Sequence, residues 1–142
     1  MREILFRGKR VTDGEWVCGS LVHRTSFYGD PCDDYLILTD GEFDCDYYEA
    51  DRVENESVGQ YTGLTDKNGK KIFEGDIVKF RMFRDEPDWI GVVKYDTAIC
   101  LYMLVGDMPD GNSFEVQVSS RDKKTFEVIG NIWDNPELLE TE

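Results

Sequence analysis

Closely spaced turn signals, separated by short apolar runs, constrain the fold of this chain more than any other feature. The segment 58–80 reads VGQYTGLTDKNGKKIFEGDIVKF and contains turn dipeptides at Asn68-Gly69 and Gly75-Asp76. Asparagine, aspartate and glycine accept the positive φ that tight hairpin turns require. The run Ile77–Phe80 that follows has the β-branched and aromatic residues typical of a strand. The segment therefore predicts consecutive strands joined by turns rather than helices.

The same pattern recurs along the chain. Asp13-Gly14 is a further hairpin turn, and Asp40-Gly41 is another between the apolar run 35–39 and the alternating segment 42–48. Ala98–Val105 is apolar at both odd and even positions, which is typical of a central strand that is buried on both faces. Asn135-Pro136 indicates a helix cap followed by proline at the first helical position, and therefore predicts a short C-terminal helix.

These signals predict an α+β fold that is mainly β, built from antiparallel hairpins, a small SH3-like barrel-type sheet and a short C-terminal helix. The barrel is an analogy, because the motifs GDIV (75–78) and GVVKYD (91–96) place a glycine turn before consecutive strands. A length of 142 residues favours one domain. We divide it into an N-terminal hairpin region, 1–57, and a barrel-like part, 58–142. Trp16 and Trp133 are predicted to be core residues.

The charge is segregated. The chain carries a net charge of −14, and the segment 30–56 holds eleven acidic residues against Arg52 alone. Such a segment repels polyphosphate, so direct binding of nucleic acid is disfavoured. A solubilising acidic face, a basic protein partner and mimicry of the charge of a nucleic acid all remain open.

The four cysteines lack the spacing of a zinc site or of a redox CxxC motif. The N-terminal segment has charges among its apolar residues, and the longest apolar run is too short to cross a bilayer. We therefore expect a reduced, cytoplasmic protein without a membrane span, and no cofactor is predicted.

The sequence lacks the patterns that catalytic and metal-binding sites require. His23 is the only histidine, and a nucleophilic system built on it lacks a strand–turn–helix elbow around any nearby serine or cysteine. An EF-hand loop counted from Asp40 needs glycine at its sixth position, where Cys45 stands. The phosphate-loop patterns GxxxxGK[ST] and GxGxxG are absent. The sequence therefore predicts no catalytic residue and no metal site.

Three blocks of sequence resemble the YopX family, whose members are encoded mainly by bacteriophages and prophages. They are FRGKR (6–10) with Trp16 and Gly19–Leu21, the segment 58–80 followed by GVVKYD, and FEVIGNIWDNPELL (126–139). The resemblance covers nearly the full length. It implies a compact, β-rich domain in the cytoplasm of an infected or lysogenic bacterium, and it implies no established biochemical activity.

Several residues are candidates for interaction with a partner. Their side chains can donate and accept hydrogen bonds before a hairpin, present an aromatic ring in a loop, or contribute to the acidic segment. These candidates are Gln60, Tyr61, Thr62, Asp66, Trp89, Asp44, Asp46 and Asp51. We expect an accessory protein that acts through protein–protein contacts or self-assembly, with a homo-oligomer as one form. The alternative is an acidic inhibitor that mimics nucleic acid and binds a DNA-binding protein.

Overall fold

A computed structural model describes residues 2–39, 50–81, 85, 87–119 and 125–139. The described residues are mainly β, and their strands form two antiparallel sheets. The chain divides into two compact units, Met1–Tyr61 and Thr62–Glu142, and the division falls inside one strand. Within the described ranges, no helix has the length and apolar character needed to cross a bilayer.

The first unit contains four complete strands and the start of a fifth. They pair antiparallel in the order β4-β3-β2-β1-β5. Their bounds are β1 (Phe6–Lys9), β2 (Trp16–Phe27), β3 (Asp30–Leu38), β4 (Asp51–Val53) and β5 (Gly59–Thr65). The β1–β2 hairpin confirms the predicted turn at Asp13-Gly14, where Gly14 has a φ of 73°.

The core of the first unit lies on one face of this sheet. Val17, Ile37 and Val53 are buried there, and they come from β2, β3 and β4. Because side chains alternate along a strand, the paired residues Leu21 and Ile37 lie on the same face. Burial of apolar area at about 25 cal/mol per Å² is the main force that holds these strands together.

The second unit has a five-stranded antiparallel sheet in the order β10-β9-β8-β7-β11, and β6 follows β5 as the edge strand of the other sheet. The bounds are β6 (Lys71–Phe73), β7 (Asp76–Phe80), β8 (Trp89–Asp96), β9 (Leu101–Asp107), β10 (Ser113–Gln117) and β11 (Glu127–Asn131). Both turns predicted around β6 are present, and Gly69 and Gly75 have φ values of 82° and 87°.

Aromatic rings form the centre of the second core. Phe80 makes edge-to-face contacts with Trp89, Phe114 and Phe126 at centroid distances of 5.6, 5.5 and 5.7 Å. Each such pair contributes roughly 0.5–1.5 kcal/mol beyond the area that it buries. Leu104 is fully buried beside them. This core fixes the arrangement of the strands that carry a cleft on the opposite face of the sheet.

Two architectural predictions are wrong. The described strands make no closed barrel, because β10 and β11, the edges of the five-stranded sheet, do not pair with each other, and neither do β4 and β6, the edges of the other sheet. The C-terminal segment Pro136–Leu139 is a 3₁₀ turn rather than an α-helix. The Asn135 side chain accepts a hydrogen bond from the backbone N–H of Asn131, at 3.2 Å, and therefore faces back toward β11 instead of forward as a helix cap.

Details of the strand prediction also change. Thr97–Cys100 is a turn, so the predicted strand Ala98–Val105 begins only at Leu101. Trp133 is 40% exposed, and Trp16 is half-buried with the Arg7 guanidinium 4.8 Å from its ring centroid. Neither tryptophan belongs to a described core cluster; Trp16 lies under the cations of Arg7 and Lys9 instead. The hairpin predicted at Asp40-Gly41 lies outside the described residues.

Candidate interaction surfaces

The predicted group before the 66–70 turn belongs largely to the framework. Tyr61 is only 7% exposed. The hydroxyl of Thr62 donates to the carbonyl of Ile72 at 2.9 Å and accepts from the N–H of Leu64 at 3.2 Å. Gln60 is half-buried on β5 in register with Phe6. Burial and these hydrogen bonds show that Tyr61 and Thr62 stabilise the fold.

Asp66 is the most constrained residue of the predicted group. Its side chain is 5% exposed and accepts backbone N–H bonds from Asn68, Lys70 and Val128, each at 2.9 Å. Burial raises the pKa of the carboxyl, but the three hydrogen bonds outweigh it, so the pKa lies below its ordinary value. Asp66 therefore fixes the hairpin turn to β11, and its buried carboxylate is not a surface for a partner.

The remaining predicted interaction residues do not lie together on one surface of the described structure. Trp89 is half-buried against Phe80 and Phe114, so its ring contributes to the core. Asp51 is half-buried, with an oxygen 3.6 Å from the Arg10 guanidinium. Asp44 and Asp46 lie outside the described residues, and so do positions 40–49 of the EF-hand loop that was counted from Asp40.

The described part of the acidic segment lies beside arginine and histidine side chains of the first unit. Asp34 binds Arg24 at 2.8 Å, and an Asp33 oxygen lies 2.6 Å from Nε2 of His23. The hydrogen bond from Arg24 holds the pKa of Asp34 below its ordinary value, while burial opposes it. With Asp51 near Arg10, three carboxylates of this segment are thus engaged within the unit.

A two-stranded arm extends from the first sheet. Among the described strands, β1 pairs with β2 only as far as Gly19, and β4 pairs with β3 only from Tyr35 to Ile37. Within the part of the chain that the structure describes, the residues Arg24–Asp34 therefore form a ribbon whose two strands pair only with each other. We call this segment the hairpin arm.

The tip of the hairpin arm exposes two adjacent aromatic rings. Phe27 is 44% exposed and Tyr28 is 77% exposed, and their rings meet edge-to-face at 4.4 Å. Tyr28 and Gly29 have φ values of 49° and 84°, which are the two positive values of a type I′ turn. A tyrosine in this left-handed region is strained by about 1–3 kcal/mol, and such strain is concentrated at functional sites.

Side chains stiffen the arm from its base to its tip. The His23 ring stacks on Tyr35 with a centroid distance of 4.4 Å and an interplanar angle of 6°. The Arg24 guanidinium lies 4.3 Å from the centroid of Phe27 while it binds Asp34. The rings at the tip are therefore held on an ordered support, which lowers the entropy cost of binding.

The strand edges of the arm resist pairing with other strands. Between the pairs Arg24–Asp34 and Ser26–Pro31 the register shifts, because β3 contributes one residue more than β2. Pro31 has no N–H to donate, and a bulge bends the edge; both features are recognised protections against strand addition. At the tip, the side chains rather than the backbone are thus the groups available for contact.

Nearly the whole chain matches one known protein family. The family model described as YopX protein matches residues 5–140. The chain belongs to the YopX family. A solved structure titled as that of protein EF1440 from Enterococcus faecalis aligns with 99% of this chain and 100% of the other, at 21% identity and a TM-score of 0.48. No curated protein matches the chain.

Sequence reasoning missed the hairpin arm of this YopX-family protein. In the sequence, the stretch Tyr28-Gly29-Asp30-Pro31 indicates a loose break in the strand pattern, because glycine and proline interrupt strands. The remaining signal was the strand-forming run 21–27 before this stretch and the apolar run 35–38 after it. Only pairing of β2 with β3 shows that the two runs belong to one hairpin.

Proposed function

We propose that this YopX-family protein is a phage or prophage accessory protein that acts by binding another protein, without catalysis, and that the hairpin arm is its contact element. One observation carries the proposal: a strained, 77% exposed tyrosine beside an exposed phenylalanine at the end of a stiffened ribbon. The partner surface must offer an apolar pocket for these two rings.

The energetic argument favours binding through the tip. Full burial of one large apolar side chain contributes about 1.5–3 kcal/mol, and aromatic residues dominate interface hot spots. Arg24 and Asp34 already restrict Phe27, so little rotamer freedom is lost when a partner covers the ring. The arm can therefore supply a central anchor of a protein interface.

Self-assembly is one form of the same proposal, in which the pocket belongs to a second copy of the chain. A different protein is the other form. The mass of a covalent adduct formed at the tip separates the two forms, since a second copy doubles the mass of the chain.

Site-specific photo-cross-linking tests the proposal. Benzoylphenylalanine is introduced at position 28 or, as a matched control in another exposed turn, at position 97, and cells of the bacterial host are irradiated. We expect a discrete adduct from position 28 that position 97 does not give. Equal adduct patterns from both positions, or no adduct from position 28, would refute a contact through the tip.

A conservative variant completes the test. Tyr28→Asn keeps a residue that accepts the left-handed conformation and removes the ring. We expect the adduct from a cross-linker placed at position 27 to disappear in this variant while the fold is retained. An undiminished adduct would show that Tyr28 is not part of the contact.

The acidic mimic of nucleic acid stays a prediction. Two of its residues, Asp44 and Asp46, lie outside the described residues, and Asp51 is engaged near Arg10. Competition between DNA and this protein for a basic DNA-binding protein, lost on neutralisation of the acidic segment, would support that alternative.

A further inference from the structure

The second unit carries a cleft on the face of its sheet that is opposite to the aromatic core. Along β8 and β9, Val93 and Leu104 point into that core, and the alternating residues Ile90, Val92 and Val105 point into the cleft. The turn 108–111 and the leucines of the 3₁₀ turn Pro136–Leu139 complete its walls. Its volume is 710 Å³, within the range of about 300–1,000 Å³ that is typical of binding sites.

The charged groups around the apolar floor are predominantly acidic. Asp88, Asp107 and Asp110 line the cleft, and Lys94 is the basic residue among its described lining. Asp107 and Asp110 are exposed, so their carboxylates can meet a ligand without a large desolvation cost.

Local hydrogen bonds orient these carboxylates and engage one oxygen of each. Oδ1 of Asp110 accepts the N–H of Asn112 at 3.0 Å, and Oδ1 of Asp107 accepts the hydroxyl of Ser113 at 3.3 Å. Oδ1 of Asp88 lies 3.3 Å from Nε of Arg81. A carboxylate has lone pairs on both oxygens, so each group keeps capacity to accept from a ligand.

We propose that this cleft binds a basic segment of a protein partner, in which a lysine or arginine adjoins an apolar side chain. Long cationic side chains have an apolar stem and a charged head, which match an apolar floor and an acidic rim. The net charge of −14 on the whole chain also favours approach of a basic partner. The site is separate in sequence from the hairpin arm and does not depend on its role.

Peptide titration followed by the methyl NMR signals of Val92, Val105 and Leu139 tests the proposal. The probe is an acetylated and amidated pentapeptide with a central leucine between two arginines. We expect saturable shifts of these methyl signals, and a much weaker effect when glutamates replace the arginines. Equal binding of the glutamate peptide, or shifts confined to other parts of the chain, would overturn the proposal.

Two aspartates provide a matched pair of variants. Asp110 and Asp96 each accept the N–H of the residue two positions later, from Asn112 and Ala98, but only Asp110 lines the cleft. Asparagine can accept the same turn bond, so both substitutions preserve the local fold. We expect Asp110→Asn to weaken binding of the arginine peptide by about 2- to 5-fold, and Asp96→Asn to leave it unchanged. Equal effects would show that only net charge matters, and would refute the site.

A small amine separates a protein segment from a free cationic ligand. Hexylamine has the apolar stem and charged head of lysine but lacks a peptide backbone. We expect it to shift the same methyl signals with an affinity at least about 10-fold weaker than that of the peptide, because it lacks the adjoining leucine and the second charge. An equal or higher affinity for the amine would overturn the assignment to a protein partner.

Discussion

Substitution of Asp66 tests the physical account of the second unit most directly. In Asp66→Asn, Oδ1 can still accept from Asn68 and Lys70, but an NH₂ group replaces the oxygen that accepts from Val128. Two donors then face each other at a nearly buried site. A hydrogen bond to a charged group contributes roughly 1.5–3 kcal/mol. We therefore expect Asp66→Asn to lower the free energy of unfolding by about 2–3 kcal/mol.

Asp66→Ala removes all three acceptor contacts and should cost more, about 3–5 kcal/mol, because three backbone N–H groups lose their acceptor. The cost stays below that of three full bonds, since water can reach the exposed residues Asn68 and Lys70 more readily than Val128. Urea denaturation followed by circular dichroism measures both losses. Amide hydrogen exchange at Val128 should accelerate in both variants, and exchange at Asn68 and Lys70 should accelerate mainly in the alanine variant. The matched control is Asp96→Asn, where a half-buried aspartate accepts one N–H in a surface turn and the loss should stay below about 0.5 kcal/mol.

The pH dependence of the difference gives an independent check. The folded pKa of Asp66 is lowered from an ordinary value of 3.8. Its stabilising contribution is therefore complete above the unfolded pKa and is lost as the pH falls through the lower folded pKa. The stability difference between the native chain and Asp66→Asn should shrink over that range, because a protonated carboxyl resembles the amide. A constant difference down to strongly acidic pH, or a loss below about 0.5 kcal/mol at neutral pH, would refute the reasoning.

Three further expectations concern single contacts. Ser57→Ala should destabilise the first unit by about 1–3 kcal/mol in urea denaturation, because the buried hydroxyl accepts from the N–H of Lys9 at 2.8 Å; a loss below about 0.5 kcal/mol would contradict this role. Gly106→Ala should lower the melting temperature of the second unit measurably, because a Cβ would collide with the Ile90 carbonyl oxygen. An unchanged melting temperature would show that β8 and β9 can move apart without a loss of stability. Tyr28→Asn should leave the free energy of unfolding unchanged or raise it by up to about 1 kcal/mol, since asparagine accepts the left-handed conformation of this turn. A clear loss of stability would show that the tyrosine ring contributes to the stability of the fold.

Prediction from sequence succeeded where the determining interactions are local. Asp13-Gly14, Asn68-Gly69 and Gly75-Asp76 form turns because these residues reach positive φ or cap a turn at little cost. It failed at Ala98–Cys100, where an apolar composition suggested a strand but the chain reverses with Cys100 at a φ of 56°. The apolar side chains there serve a hairpin turn, and composition alone does not distinguish the two uses.

The interaction residues illustrate a second limit. Tyr61, Asp66 and Trp89 looked like contact groups because polar and aromatic side chains in loops can bind partners. Tertiary packing buries Tyr61 and Asp66 and places Trp89 against Phe80. Conversely, Tyr28 lies in the stretch 28–31 that interrupts the strand pattern, and its proposed contact role rests on its exposure and its positive φ, which only the structure gives.

The sequence by itself determined that this chain is a mainly β member of the YopX family, because turn residues, alternation and motif order are all encoded locally. The tertiary structure decided which polar groups are structural and which surfaces remain open. Asp66 accepts from an N–H 62 residues away, and the cleft combines β8 and β9 with a C-terminal turn. Such partners meet only when strands pair across long separations, so no local pattern identifies them.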